Sequence, residues 1–209
     1  MRYGIVVCII ALSVPAQAAE ITILSSDEPG GVLHRVVISG RLVAEDTEAF
    51  RLKAGSLQGR VGIGLMSEGG SITAGVEIGR MIRLRGWNTV VPPGATCASA
   101  CALIWLGGIQ RLIYPASKLG FHASYILRDG VAHEHGASNA LVGGYLNQLG
   151  LSDPAIRYIT SAAPSSMTWM TQEDANRYGI SHKMMEDKPA PAAMPSATLP
   201  TTPTPPGMP

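Results

Sequence analysis

The chain has 209 residues with a formal net charge of +1, and 15% charged and 46% hydrophobic residues, enough apolar material for one domain with a substantial core. No basic stripe interleaved with aromatics occurs, which argues against nucleic acid and acidic surfaces as partners.

Residues 1–19 have a positive start at Arg2, an apolar run from Ile5 to Val14, and small residues in Pro15-Ala16-Gln17-Ala18-Ala19. That order predicts a cleavable secretory signal with Ala16-x-Ala18 as its cleavage box, because the apolar run is short for a membrane span. The mature chain would begin at Ala19 or Glu20, in a periplasm or outside the cell, with no membrane anchor left. Ile21–Leu24 and Arg35–Ser39 read as strands, short and rich in β-branched residues. Asp46–Leu57 reads as a helix with Phe50, Ala54 and Leu57 on one face. Val61–Met66 is a continuous apolar run, as in a buried parallel strand, and it ends in Ser67-Glu68-Gly69-Gly70-Ser71. A helix over Ile72–Leu84, a strand near Asn88–Val91 and an apolar helix after Ser99 follow. Arg111–Tyr114 and Lys118–His122 are two further strands, and residues 123–137 read as a loop opened by the turn signature Arg128-Asp129-Gly130. Helix returns from Ser138, with Leu141, Tyr145 and Leu149 on one face. Asp153-Pro154 starts another helix with Asp153 as its N-cap, and Thr171-x-x-Asp174 opens a last one that Gly179 closes. The alternation predicts an α/β layered fold with a mostly parallel sheet and flanking helices, one domain over residues 20–187. The Pro/Ala/Thr-rich segment 188–209 has no periodic apolar face and is expected to stay disordered.

Three segments carry the chemistry. A strand ending in Gly69-Gly70 and feeding a helix exposes backbone N–H groups where the helix dipole favours negative charge. Ser99, between the small residues Ala98 and Ala100, stands at a strand-to-helix turn, where it is either an N-cap or an exposed nucleophile. His122 closes the next strand, 23 residues on, room for a helix and a returning strand. Cys97 and Cys101 flank the serine; they pair in an oxidising compartment or pack as two buried thiols. Cys8 belongs to the signal. His133-Glu134-His135 has no third well-placed ligand, so no metal and no cofactor is expected.

Leu65–Gly75 resembles the Ser-Pro-Gly-Gly loop and following helix of the Clp protease proteolytic subunit. Gly94–Ala102 is similar to that family's Gly-x-Ala-Ala-Ser-Met-Gly turn, Lys118–His122 to the strand ending in its histidine, and Thr171–Ile180 to its closing Ser-x-x-Glu-Ala-x-x-Tyr-Gly-Leu helix. The resemblance spans residues 35–182. It implies the Clp protease/crotonase-like fold (ClpP/crotonase-like), an oxyanion hole from the Gly70 and Ala100 amides, Ser99 as nucleophile and His122 as base. It also implies a homo-oligomer acting on peptides or unfolded chains. With no phosphate-loop motif and an exported context, no ATPase partner is expected. Where the family has a carboxylate to orient the histidine, Ser161–Ser166 here has no acid. Asp153, Ser161, Ser165, Asp129 and Glu134 are substitutes for that third member, and Lys118 could serve as base in a serine–lysine variant. The competing functions are a catalytically decayed scaffold on the same fold and a crotonase-type acyl-CoA enzyme.

Overall fold

The computed structural model describes residues 18–186; the apolar leader before them and the 188–209 segment lie outside the described residues. In chain order the elements are β1 (Glu20–Glu28), β2 (Gly31–Ser39), α1 (Asp46–Ala54), β3 (Arg60–Met66), α2 (Ile72–Leu84), β4 (Asn88–Val91), β5 (Thr96–Ala98), α3 (Ala100–Gly107) and β6 (Arg111–Ile113). Then come β7 (Lys118–Phe121), β8 (Tyr125–Arg128), β9 (Val131–Glu134), α4 (Gly136–Gln148), α5 (Asp153–Thr160), β10 (Thr168–Trp169), α6 (Gln172–Tyr178) and β11 (Lys183–Met184).

The main sheet has the order β1-β2-β3-β4-β6-β11. Only β1 runs antiparallel to its neighbour; the other pairs are parallel, joined by helical crossovers. Buried in this sheet between two parallel partners, β3 reads as a near-continuous apolar run. A second, three-stranded sheet, β10-β7-β5, is set off from the first, and the ends of β5 and β7 lead into Ser99 and His122.

α2 and α3 pack face to face at unusually close range. A Cβ built on Gly75 would lie 2.6 Å from the Ala100 carbonyl oxygen, and one on Gly107 would lie 2.4 Å from the Gly79 carbonyl oxygen. Every residue of α3 is buried, which fits an apolar helix with no polar face. Its polar neighbours are satisfied through the backbone: the Tyr145 hydroxyl donates to the Leu103 carbonyl (3.0 Å), Thr89 Oγ1 to the Trp105 carbonyl (2.7 Å), and Trp105 Nε1 to the Leu112 carbonyl (3.0 Å). Burial raises the Tyr145 phenol above its ordinary range, so the hydroxyl remains a donor.

Three local expectations need correcting. The N-cap of α5 is Ser152, whose side chain accepts from the Ala155 amide, and Asp153 is the first helical residue. The hydroxyl before the Asp-Pro pair reaches the third amide, so it takes the role expected of the carboxylate. Residues 123–137 are not a plain loop but hold the β8–β9 hairpin, whose turn has Asp129 at φ 51° and Gly130 at φ 76°. α1 ends at Ala54 rather than Leu57, since Gly55 closes it; Leu57, beyond the helix end, still packs partly buried against the core. The capping box of α6 is as expected: Thr171 and Asp174 bond reciprocally, and Gly179 closes the helix at φ 68°.

Candidate active site

The glycine loop is shaped by its contacts. Leu42 bridges to Gly70, with the Leu42 amide donating to the Gly69 carbonyl (2.8 Å) and the Ser71 amide to the Leu42 carbonyl (2.9 Å). That pairing engages the atoms on either side of the Gly70 amide and leaves the amide itself to the other face. Gly69 and Gly70 have φ of 94° and 138°, conformations that side chains rarely adopt. A Cβ on Gly70 would sit 2.1 Å from the Leu42 carbonyl oxygen; one on Gly69 would be 2.7 Å from Ser99 Cβ and 2.9 Å from the Ala100 nitrogen. The loop therefore lies directly against the serine turn, and only glycine allows the approach.

Ser99 sits between β5 and α3 at φ 56°, ψ −124°, a strained backbone for a residue with a Cβ. Its amide donates to the Gly120 carbonyl (2.9 Å), and its carbonyl receives the first helical amides from Ala102 and Leu103. Although Ser99 occupies the N-cap position, its hydroxyl caps nothing. The amide of Ala100, first in the helix, has no acceptor within the helix. Sequence alone left N-cap and exposed hydroxyl open; the strained turn with an uncommitted side chain is the geometry of a nucleophile elbow.

Cys97 and Cys101 are joined by a disulfide across this turn, with Cα atoms 5.2 Å apart. The two sulfurs meet because Cys97 is in β5 and Cys101 is one residue into α3, so the backbone bends between them.

β7 runs parallel to β5, Ala98 opposite Gly120, and this register brings its C-terminal end beside the serine turn. His122 follows directly, half-buried, and lines with Ser99 one cleft of about 190 Å³ that also includes Arg41, Gly70, Ser124 and Tyr125. An adjoining cleft of about 350 Å³ shares Arg41 and Glu68 with it and extends past Gly69 to Thr96. Nδ1 of His122 is 2.7 Å from the Ala123 carbonyl oxygen. A carbonyl only accepts, so Nδ1 carries the hydrogen and the lone pair stays on Nε2.

The stretch expected to supply a third member does run beside the histidine, since the Ala123 amide donates to the Ala162 carbonyl (2.8 Å). It brings no acid. Ser161 donates instead to the Tyr158 carbonyl, Ser165 and Asp153 are exposed, Asp129 is in the hairpin turn, and Glu134 accepts from Asn139 Nδ2 (2.7 Å). None of them lines the cleft, and neither does Lys118, exposed at the start of β7. His133 and His135 are on and after β9, where His135 Nδ1 meets Ser138 Oγ (2.7 Å). Among the described residues, no group of three histidines, cysteines or carboxylates is placed to hold a metal.

Two groups near His122 could not be read from the sequence. Ser124 Oγ donates to Asn139 Oδ1 (2.6 Å), which also accepts the Ser124 amide (2.8 Å), and both residues line a small pocket with Ser99 and His122. They are fifteen residues apart, and nothing local signals the pairing. The β8–β9 hairpin supplies the second group, Tyr125 and Leu127, which line the cleft. The Tyr125 ring is 5.6 Å from the imidazole.

A mostly parallel mixed sheet flanked by helices, with the serine turn set off on a second small sheet, is the fold of the Clp protease/crotonase-like class. Solved structures of that fold align with this chain. A serine-to-alanine mutant of the 1510-N membrane-bound stomatin-specific protease is 19% identical with a TM-score of 0.55, covering 71% of this chain and 77% of its own. A second mutant of that protease, in complex with a substrate peptide, is 20% identical with a TM-score of 0.55, covering 71% and 73%. An asparagine-to-aspartate mutant of ClpP1 from Listeria monocytogenes is 20% identical with a TM-score of 0.53, covering 74% of this chain and 92% of its own. No protein-family model matches the sequence. No curated protein matches it either.

Proposed function

We propose that this chain is an exported, ATP-independent serine peptidase of Clp-protease type, working through an acyl-enzyme. The observation that carries the reading is Ser99, held in a strained turn with its hydroxyl uncommitted and sharing a cleft with His122. In this mechanism Ser99 Oγ attacks the scissile carbonyl carbon while Nε2 of His122 takes its proton. The Gly70 and Ala100 amides stabilise the resulting oxyanion. The amine leaves with the proton from His122, and water, deprotonated by the same nitrogen, then hydrolyses the ester.

The Ala123 carbonyl takes part of the usual carboxylate's role. In serine enzymes, replacing that carboxylate by its amide costs about 10⁴ in turnover because the imidazole adopts the wrong tautomer. A carbonyl acceptor keeps the correct one and loses only the anion's stabilisation of the imidazolium. Slow but real catalysis is expected. Peptides or loosely folded chains fit a cleft that continues past Glu68 and Gly69, and assembly into a homo-oligomer agrees with the fold. The leader supports a periplasmic or secreted location; among the described residues, no helix is long and apolar enough to cross a membrane.

The test is labelling of the processed protein with a fluorophosphonate probe. Wild type is expected to label stoichiometrically, Ser99→Ala not at all, and His122→Ala at least about 10³-fold more slowly. Labelling that survives in Ser99→Ala would remove the nucleophile assignment. The missing carboxylate favours one other reading, a catalytically decayed scaffold, which predicts an unlabelled wild type in every oligomeric state.

A further inference from the structure

Asp46, the first residue of α1, is 1% exposed, among the most buried polar side chains of the described residues. Its Oδ2 accepts two backbone N–H groups, from Val43 at 2.7 Å and from Ala19 at 3.3 Å. The ion pairs of the described residues join Arg35–Glu28, Arg51–Glu48, Arg80–Glu77 and Arg177–Glu173, and none reaches Asp46. Lys53, two turns further along α1, donates to the Ile21 carbonyl. A carboxylate this deep ordinarily faces a formal positive charge, because neutral donors alone offset its lost hydration poorly.

The nitrogen already beside it is the one that signal cleavage would convert into a cation. Ala19 packs partly buried against the core, and the pairing of Glu20 with Ser39 fixes where the chain enters the sheet. Ala18, one residue earlier, is exposed. We propose that a signal peptidase cuts the Ala18–Ala19 bond and that the new α-ammonium of Ala19 becomes the counter-ion of Asp46. This rests on the export reading above. Water adds across the peptide bond: Ala18 leaves as a carboxylate, and the Ala19 nitrogen keeps its hydrogen and gains two protons' worth of donors as NH₃⁺ at neutral pH. Cleavage one bond later would remove Ala19 and leave the carboxylate without it. In the precursor the carboxylate therefore has only neutral backbone donors, from Val43 and Ala19, and in the processed protein one of these donors becomes a formal cation. Removal of the leader then tightens the fold as well as releasing it.

The full chain is expressed in an exporting bacterium and the intact mass of the recovered protein measured. A start at Ala19 is expected. A start at Glu20 or later overturns this proposal alone, whereas an uncleaved chain overturns the export reading with it. The pairing is read separately, on chains released from a removable tag to begin at Ala19 or at Ala18. Asp46→Asn, which keeps an acceptor for Val43, is expected to lower the melting temperature by at least about 4 °C more in the chain beginning at Ala19. Modification of the α-amine by 2-pyridinecarboxaldehyde is expected to be about tenfold slower in that chain, a readout that needs no variant to fold. Equal melting shifts and equal labelling rates would overturn the ion pair.

Discussion

Ser99 and Gly69 hold the site together at the residue scale, each in a backbone conformation its neighbours enforce. The φ of 56° at Ser99 is tolerated because its amide, its carbonyl and the flanking disulfide all fix the turn. Gly69 is the complementary part, packed so closely that any Cβ meets the serine turn. Gly69→Ala is therefore expected to abolish probe labelling and to cost about 2–3 kcal/mol, strain plus displacement of Ser99. Gly150→Ala separates the two causes. Its φ is 79° and nothing lies within 4 Å of an added Cβ, so it should lower the melting temperature slightly and leave labelling intact. Labelling of Gly69→Ala at the wild-type rate would show that the loop does not govern the serine.

Short elements owe their boundaries to side-chain caps, and α6 is the clearest case. The Thr171 hydroxyl and amide hold the Asp174 carboxyl below its ordinary value of 3.8. A depressed folded-state value means the carboxylate's contribution is fully present above 3.8 and is lost as the pH falls through the lowered value. Thr171→Ala should cost about 1 kcal/mol at neutral pH. The deficit relative to wild type should shrink on acidification below 3.8, as followed by melting temperature. A deficit independent of pH would mean that the hydroxyl acts without the carboxylate. Much of this level was legible in sequence. Thr171-x-x-Asp174, Gly179 and the bounds of α2 and β4 are written in local capping chemistry and periodicity. The β8–β9 hairpin was not, because Arg128-Asp129-Gly130 reads equally as a loop until the strands on either side find each other.

Across the whole molecule, the disulfide connects the second sheet to the helix layer at the point where the Ser99 turn crosses between them. It closes a very short loop, so the entropic benefit is only about 2 kcal/mol. Its larger expected effect is positional. The Cys97→Ala/Cys101→Ala double variant should melt roughly 4–8 °C lower and label more than tenfold more slowly with the fluorophosphonate, with reduction of the wild type reproducing both changes. Full labelling at the lower melting temperature would confine the bridge to stability.

By itself the sequence determined the alternation of strands and helices, the glycine loop, the serine between small residues and the histidine at a strand end. These are written in local patterns of apolar residues and turn chemistry. Tertiary structure decided how they combine. The Ala98–Gly120 register sets His122 beside Ser99, and the bend at Ser99 joins two cysteines that spacing left ambiguous. The partner of Nδ1 is a backbone carbonyl, an atom every residue carries and no residue type announces. The Ser124–Asn139 pair and the meeting of Ala19 with Asp46 likewise join residues far apart in the chain. Such contacts depend on long-range packing, which no local window of residues encodes.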